Sequence, residues 1–363
     1  MNVDFTAHRP FVVAGPCSAE TEEQVLDTAR ALAAQGKTHL FRAGIWKPRT
    51  RPNSFEGVGS EGLRWLRRVR EEVGLPVTTE VANREHVFEA LKHGIDVLWI
   101  GARTTVNPFS VQEIADALKG VDIPVVVKNP INPDVALWVG AVERLRKAGI
   151  TRLAGLHRGF SSFGDSSFRN PPRWQLAIDF KSRLPELPLW VDPSHICGRR
   201  DTLQEVAQQA LDLNYDGLMM EVHPTPDEAW SDAKQQITPD RFGELLAALA
   251  LPEATSDDPD FMQNLQLLRQ QIDEIDEEVL NLLGERMRLA REIGQYKRRN
   301  NIAILQPARW QSLLEQAQAK GAERQLSGNF VSDLLKAVHQ ESITQQEQVM
   351  REGTRATPSV SNA

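Results

Sequence analysis

Cysteine is scarce in this chain: its 363 residues include only Cys17 and Cys197. So low a count excludes a disulfide framework as the source of stability, and a bond between the two is not expected without a secretion signal. The opening residues, MNVDFTAHRP, lack the charged-then-apolar pattern of such a signal, so a cytoplasmic location is expected. No apolar run approaches the roughly 20 residues needed to cross a bilayer, which argues against a membrane protein. An excess of basic charge is also missing. The net charge of −7 argues against a dedicated nucleic-acid binder, while local clusters of Arg and Lys can still meet anionic small molecules. Hydrophobic content of 41% and charged content of 25% are ordinary for a globular chain long enough for two domains.

What the chain does have is a repeated alternation. Short apolar runs recur over the first 250 or so residues: FVVAGPCS, HLFRAGIWK, PVTTEV, VLWIGAR, PVVVKNP, RLAGLHRG, LPLWVDPSH and GLMMEVHP. Most are followed by a stretch of helical periodicity, which describes parallel strands joined by crossover helices. The spacing predicts an α/β fold, a closed (β/α)8 barrel over residues 1–251, with its active site at the carboxyl ends of the strands. Those ends carry Cys17, Arg42, Lys47, Glu80, Arg103, Lys128, Arg158, His195, Glu221 and His223.

Two constellations stand out among them. Cys17, His195, Glu221 and Asp232 combine thiolate, imidazole and carboxylate donors, a set suited to a divalent transition metal such as Mn, Fe, Co or Zn. The first, seventh and eighth strands of a closed barrel are neighbours, so these donors can converge. Plainer roles exist for each: a lone Cys after a strand is often a small buried hydrophobe, and Asp232 in WSDAKQQ could cap a helix. Arg42, Lys47, Arg49, Arg103, Lys128 and Arg158 form the second set. Gathered on one rim they would recognise phosphate and carboxylate groups through charge-assisted hydrogen bonds. Singly, they could be solvated loop charges or ion-pair partners of Glu20, Glu56 and Glu80. Cys197 is read as a packing residue, and His223 is left outside the ligand set.

PEATSDDPD, residues 252–260, has no apolar periodicity and reads as a linker. Beyond it the pattern turns helical over residues 261–350. Leu265, Leu268, Ile272, Ile275, Val279, Leu282 and Leu283 recur at spacings of three or four, and the pattern continues through Met287, Leu289 and Ile293. So long an amphipathic helix usually buries its stripe against a partner chain. Two further helices are predicted, from Pro307 to about Ala319 and from Asn329 to about Gln348. Residues 351–363 read as a disordered tail.

GPCSAE, FRAGIWKPRT, IGAR, VKNP, HRGF, DPSH and EVHP, in that order, resemble the type I-beta 3-deoxy-D-arabino-heptulosonate 7-phosphate (DAHP) synthases. The resemblance implies a metal-dependent condensation of phosphoenolpyruvate with erythrose 4-phosphate, at the head of the shikimate route to aromatic amino acids. It makes Cys17, His195, Glu221 and Asp232 the metal ligands. Arg42, Lys47, Arg103, Lys128 and Arg158 would bind phosphoenolpyruvate, and Lys47, Pro48, Arg49 and Thr50 would receive erythrose 4-phosphate. The octulosonate 8-phosphate synthases share this fold and mechanism, and KPRT looks like the version for the four-carbon aldehyde.

The C-terminal stretch LRQQIDEIDEEVLNLLGERMRLAREIGQYK resembles the first helix of the all-helical (AroQ-class) chorismate mutases. That resemblance places Arg269, Arg286, Lys297, Arg309, Ser342 and Gln346 in a site that rearranges chorismate to prephenate. It also implies a homodimer interlocked along the long helix, with Arg269 crossing into the partner's site. Two positions depart from the family: Trp310 stands where a Glu contacts the substrate hydroxyl, and Gln306 where an Asp is common. The expectation is a bifunctional enzyme. The alternative is a barrel synthase whose helical domain only dimerises it and senses chorismate or prephenate.

Overall fold

A computed structural model describes residues 1–47, 55–162, 166–253 and 255–352. The chain divides into two compact units, residues 1–254 and 255–363. Pro48, Arg49 and Thr50, expected from the sequence to receive erythrose 4-phosphate, lie outside the described residues, as does most of the segment read as a tail.

In the first unit, β1 (Phe11–Gly15), β2 (Leu40–Arg42), β3 (Val77–Val81), β4 (Val97–Ile100), β5 (Val125–Lys128), β6 (Leu153–His157), β7 (Leu189–Val191) and β8 (Gly217–Glu221) form a closed barrel. Every pairing is parallel, and β8 returns to β1 with Gly15 opposite Glu221. Side chains alternate across each strand. Phe11 and Val13 join Trp99, Leu156, Trp190 and Met219 in one cluster, whereas Val12 and Ala14 pack with Val25, Ala29 and Leu32 of a following helix. Burial on both faces explains why the strands read as continuous apolar runs rather than alternating ones. Parallel direction then brings every strand's carboxyl end to the same rim.

One core residue makes stability depend on pH. His157, at the end of β6, is fully buried. Its Nε2 donates to Pro172 O (2.6 Å), so Nδ1 must accept from the Tyr215 hydroxyl (2.9 Å). Burial pulls the imidazole down to about 4, with the Pro172 carbonyl acting in the opposite direction. Between there and the unfolded value near 6.5 the unfolded chain binds the extra proton, so stability is full above that range and falls as pH drops through it. The loss should be on the order of 3 kcal/mol by pH 4. Urea midpoints at pH 7 and pH 4.5 check this. The drop between them should be smaller in His157→Gln than in the unaltered protein, and an equal drop would remove His157 as its source.

Among the described residues the second unit holds three helices, Pro259–Arg299, Pro307–Ala322 and Gly328–Glu352. The first starts inside the segment that composition suggested was linker. Asp258 accepts hydrogen bonds from the Asp260 and Phe261 amides, and Pro259 takes the first helical position, where its missing N–H costs nothing. The first and third helices approach closely at Gly294, where an added Cβ would lie 3.2 Å from Gln346 Cα. Leu268, Ile272, Ile275, Val279 and Leu282 are exposed along the long helix. No described helix is long and apolar enough to cross a membrane.

Candidate functional sites

At the rim of the barrel, Cys17 follows β1, Glu221 ends β8, and Asp232 sits between two single-turn helices in a left-handed conformation (φ 50°). Their Sγ and carboxylate oxygens all lie within 4.8 Å of one another, Cys17 and Glu221 fully buried. His195, in the short helix Pro193–Cys197 after β7, turns Nε2 toward Glu221 Oε1 at 3.7 Å. The four donors predicted to bind metal therefore come to one edge of the barrel.

Their surroundings suit a cation. Glu221 Oε2 is held by Gln235 Nε2 (2.6 Å), while buried Oε1 accepts no hydrogen bond from the described residues. Burial pushes the Cys17 thiol up to about 12, helped by Glu221 and Asp232 and opposed by Lys47 and Arg42. A divalent cation at this point would reverse that balance, because a metal binds the thiolate and displaces its proton. Burial also pulls the His195 imidazole down, against Asp192 and Glu221, leaving the neutral form a metal accepts.

The Asp192 carboxylate braces this edge. Oδ1 caps the short helix by accepting from the His195 amide (3.1 Å), and Oδ2 lies 2.8 Å from His195 Nδ1 and 3.0 Å from Lys128 Nζ. A carboxylate behind an imidazole fixes the tautomer and leaves Nε2 free to bind a metal. Arg169 similarly holds Asp232 Oδ1 at 2.9 Å and Gln235 Oε1 at 2.7 Å. Neither Asp192, Arg169 nor Gln235 was picked out from sequence. Asp192 had a signal, since Asp-Pro before a short helix is a capping pattern, but Arg169 sits in a loop and Gln235 ends a single-turn helix too short to show periodicity.

Beside the donor cluster, a cavity is lined by Lys47, Arg103, Lys128 and Arg158 together with Glu80, His195 and Asp232. Arg42 is not part of that lining. It is buried, with Nη2 3.2 Å from both Glu221 Oε1 and Cys17 O, and its guanidinium lies over the Trp99 ring. Its Nε and Nη1, like Nη1 of Arg158, are buried without a hydrogen-bond partner among the described residues. Burial pulls Arg158 down to about 10, against Asp192, so it stays charged at neutral pH. Unsatisfied guanidinium nitrogens this deep are costly unless an anion completes them. Lys47 Nζ meets Cys17 O (2.7 Å) and Sγ (3.0 Å), bridging the cavity and the donor cluster. Glu80 accepts from Trp99 Nε1 (3.0 Å), and it lies so close to Gly101 that a Cβ there would fall 1.9 Å from Glu80 Oε1 and force that side chain to shift.

His223 and Cys197 have other duties. His223 Nδ1 accepts from the Thr225 amide, so Nε2 carries the proton and faces Glu20 Oε2 at 3.4 Å. Glu20 in turn receives the Trp230 amide (2.7 Å), steadying the loop that leads to Asp232. Cys17 and Cys197 are both free and buried, and burial pushes the Cys197 thiol up to about 11.

The helical unit holds a second cavity of about 420 Å³, lined among others by Arg286, Lys297, Arg309, Ser342 and Gln346. Ser342 Oγ receives the Arg286 guanidinium and donates to Val338 O. Lys297 Nζ donates to Ile304 O. Trp310 and Gln306 line the same cavity, and so does His339, which sequence reading passed over. Its signal was spacing, for His339, Ser342 and Gln346 fall on one face of the third helix. Arg269 is not brought to this cavity. It lies about 25 Å farther along the long helix from Arg286 and is exposed.

A parallel eightfold barrel with a metal-type donor cluster beside a cationic cavity defines an enzyme acting on an anionic small molecule, here joined to a helical unit with a cationic groove of its own. The chain belongs to the DAHP synthetase I family, which its residues 6–253 match, and residues 268–347 match chorismate mutase type II. It is 32% identical over 235 residues to phospho-2-dehydro-3-deoxyheptonate aldolase of Thermotoga maritima, covering 65% of this chain and 67% of that one. It is 30% identical over 276 residues to 2-dehydro-3-deoxyphosphooctonate aldolase of Acidithiobacillus ferrooxidans, covering 71% and 94%. Among solved structures it is similar to the DAHP synthase of Thermotoga maritima, with a TM-score of 0.58 at 30% identity, covering 65% of this chain and 66% of that one.

Proposed function

We propose that the chain is a bifunctional enzyme of the shikimate route: the barrel condenses phosphoenolpyruvate with erythrose 4-phosphate, and the helical unit rearranges chorismate to prephenate. The observation that carries the first half is the cationic cavity lined by Lys47, Arg103, Lys128 and Arg158, beside a thiolate–imidazole–carboxylate cluster. Lys47, Arg103, Lys128 and Arg158, which line the cavity, would bind the phosphate and carboxylate of phosphoenolpyruvate, with Arg42 buried behind them against Glu221. Lys47 begins the loop that would receive the aldehyde.

Cys17, His195, Glu221 and Asp232 would hold a divalent ion of the Mn, Fe, Co or Zn class. Bound there, the ion supplies Lewis-acid polarisation of the aldehyde oxygen. The remaining work falls to the protein. The cationic ring keeps the enol carbon facing the aldehyde, a carbon–carbon bond forms, water adds to the carbon bearing the phosphate ester, and phosphate leaves from that carbon. Arg158 and Lys128 stabilise the charge gathering on the departing group.

In the helical unit, Arg286, Lys297 and Arg309 would grip the two carboxylates and the ether oxygen of chorismate and hold it compact. The ether carbon–oxygen bond then breaks as the new carbon–carbon bond forms, with cations facing the oxygen that gains charge. We propose further that two chains pair along the long helix. The exposed stripe Leu268–Ile272–Ile275–Val279–Leu282 supports this, and pairing would bring in Arg269 from the partner. Two buried free thiols suit a cytoplasmic protein.

The test is to assay the purified chain for both reactions with and without a chelator. We expect chelation to abolish phosphate release from phosphoenolpyruvate plus erythrose 4-phosphate and to leave prephenate formation unchanged. Phosphate release that survives complete metal removal would sink the metal reading. Chorismate binding without turnover would make the helical unit a sensor rather than a mutase.

A further inference from the structure

The cavity of the helical unit presents three cations, Arg286, Lys297 and Arg309, and no carboxylate among its described lining residues. Chorismate carries two carboxylates, an ether oxygen and a ring hydroxyl. The cations answer the first three groups, but the hydroxyl proton needs an acceptor. Four described lining residues offer a neutral one: Gln306, His339, Ser342 and Gln346. Ser342 Oγ is already engaged with Arg286 and Val338 O, and Gln306 is exposed at the start of its helix. Gln346 is buried at the Gly294 crossing, its amide N–H bonded to Ser342 O (3.2 Å) and its Oε1 free.

His339 is the strongest acceptor of the four, because an imidazole nitrogen is more basic than an amide or hydroxyl oxygen. Its ring stacks on Trp310 with centroids 4.2 Å apart and planes 29° from parallel, so its orientation is set by packing. Neither ring nitrogen is hydrogen-bonded to another described residue. Burial pulls the imidazole down, and Arg286 and Lys297 add to the effect, so the ring keeps a lone pair at neutral pH.

We propose that His339, held by Trp310, accepts the ring hydroxyl of chorismate and so sets the groove's preference for a hydroxylated dicarboxylate. The inference rests on the mutase reading above and assigns a binding role to a side chain outside the predicted set. It gives Trp310 a function as the platform that orients the acceptor.

The experiment compares kcat/KM for chorismate and for the analogue lacking the ring hydroxyl, in the unaltered protein, His339→Ala, His339→Gln and Gln346→Leu. The unaltered protein should prefer chorismate by about tenfold, the worth of one net hydrogen bond. His339→Ala should lose that preference by slowing chorismate while leaving the analogue's rate unchanged, which also shows that the groove is intact. His339→Gln, which keeps an acceptor, should recover part of it. Equal slowing of both compounds in His339→Ala would mean a packing role and overturn the inference. So would an undiminished preference in that variant, or one lost only in Gln346→Leu. No turnover of either compound by the unaltered protein overturns the mutase reading itself, and this inference with it.

Discussion

Replacing Arg286 with alanine is expected to lower chorismate turnover about a hundred- to a thousandfold while leaving DAHP formation unchanged. The size follows from what the side chain does. Its guanidinium is fixed by Ser342 Oγ and Val338 O at the wall of the cavity, and burial has already stripped part of its hydration. A preorganised charge in such a place is worth about 3–4 kcal/mol to a transition state that gathers negative charge on one oxygen. Arg269→Ala should be comparably damaging, although Arg269 lies about five turns away along the same helix. Mixing the two inactive variants under conditions that allow exchange of chains should then restore turnover. In a mixed dimer, one site receives an intact Arg286 from its own chain and an intact Arg269 from the other. Failure to complement, with each variant folded and dimeric, would count against the shared site. A fully active Arg269→Ala would remove that residue from the reaction altogether.

The second large effect is expected at Cys17. Cys17→Ala should lower metal affinity at least about a hundredfold, beyond the range typical of residues that only brace a ligand. DAHP formation should fall with it, while chorismate turnover stays at the level of the unaltered protein. Metal content after gel filtration and titration with Mn or Zn provide the readout. Asp192→Asn offers an instructive contrast. It keeps the shape but removes the charge behind His195 and beside Lys128, so metal affinity should drop about tenfold to a hundredfold. If Cys17→Ala retained stoichiometric metal, the ligand set would have to be redrawn without sulfur.

Much of the barrel was legible because strands buried on both faces leave a continuous apolar signature, and because a parallel barrel gathers chemically distinctive residues at one end. Cys17, His195 and Glu221 could be grouped from strand order alone. The supporting shell was far less visible. Arg169 reaches Asp232 from a loop whose path is set by packing rather than by local pattern. Arg42 looked like one more rim cation, yet it is buried against Glu221 and Trp99, because strand register and burial depth decide where an arginine at a strand's end points. In the helical unit the face carrying Arg286 and Lys297 follows from helical periodicity. The stacking of His339 on Trp310 joins two helices and has no counterpart in either one's sequence pattern.

The Asp192 carboxylate caps the His195 helix, backs the His195 ring and pairs with Lys128 of the anion cavity, so both subsites rest on the same few atoms. Mutational drift therefore has no route by which the barrel can alter the donor cluster and the cationic cavity one at a time through this position. The end of β7 can only be inherited whole.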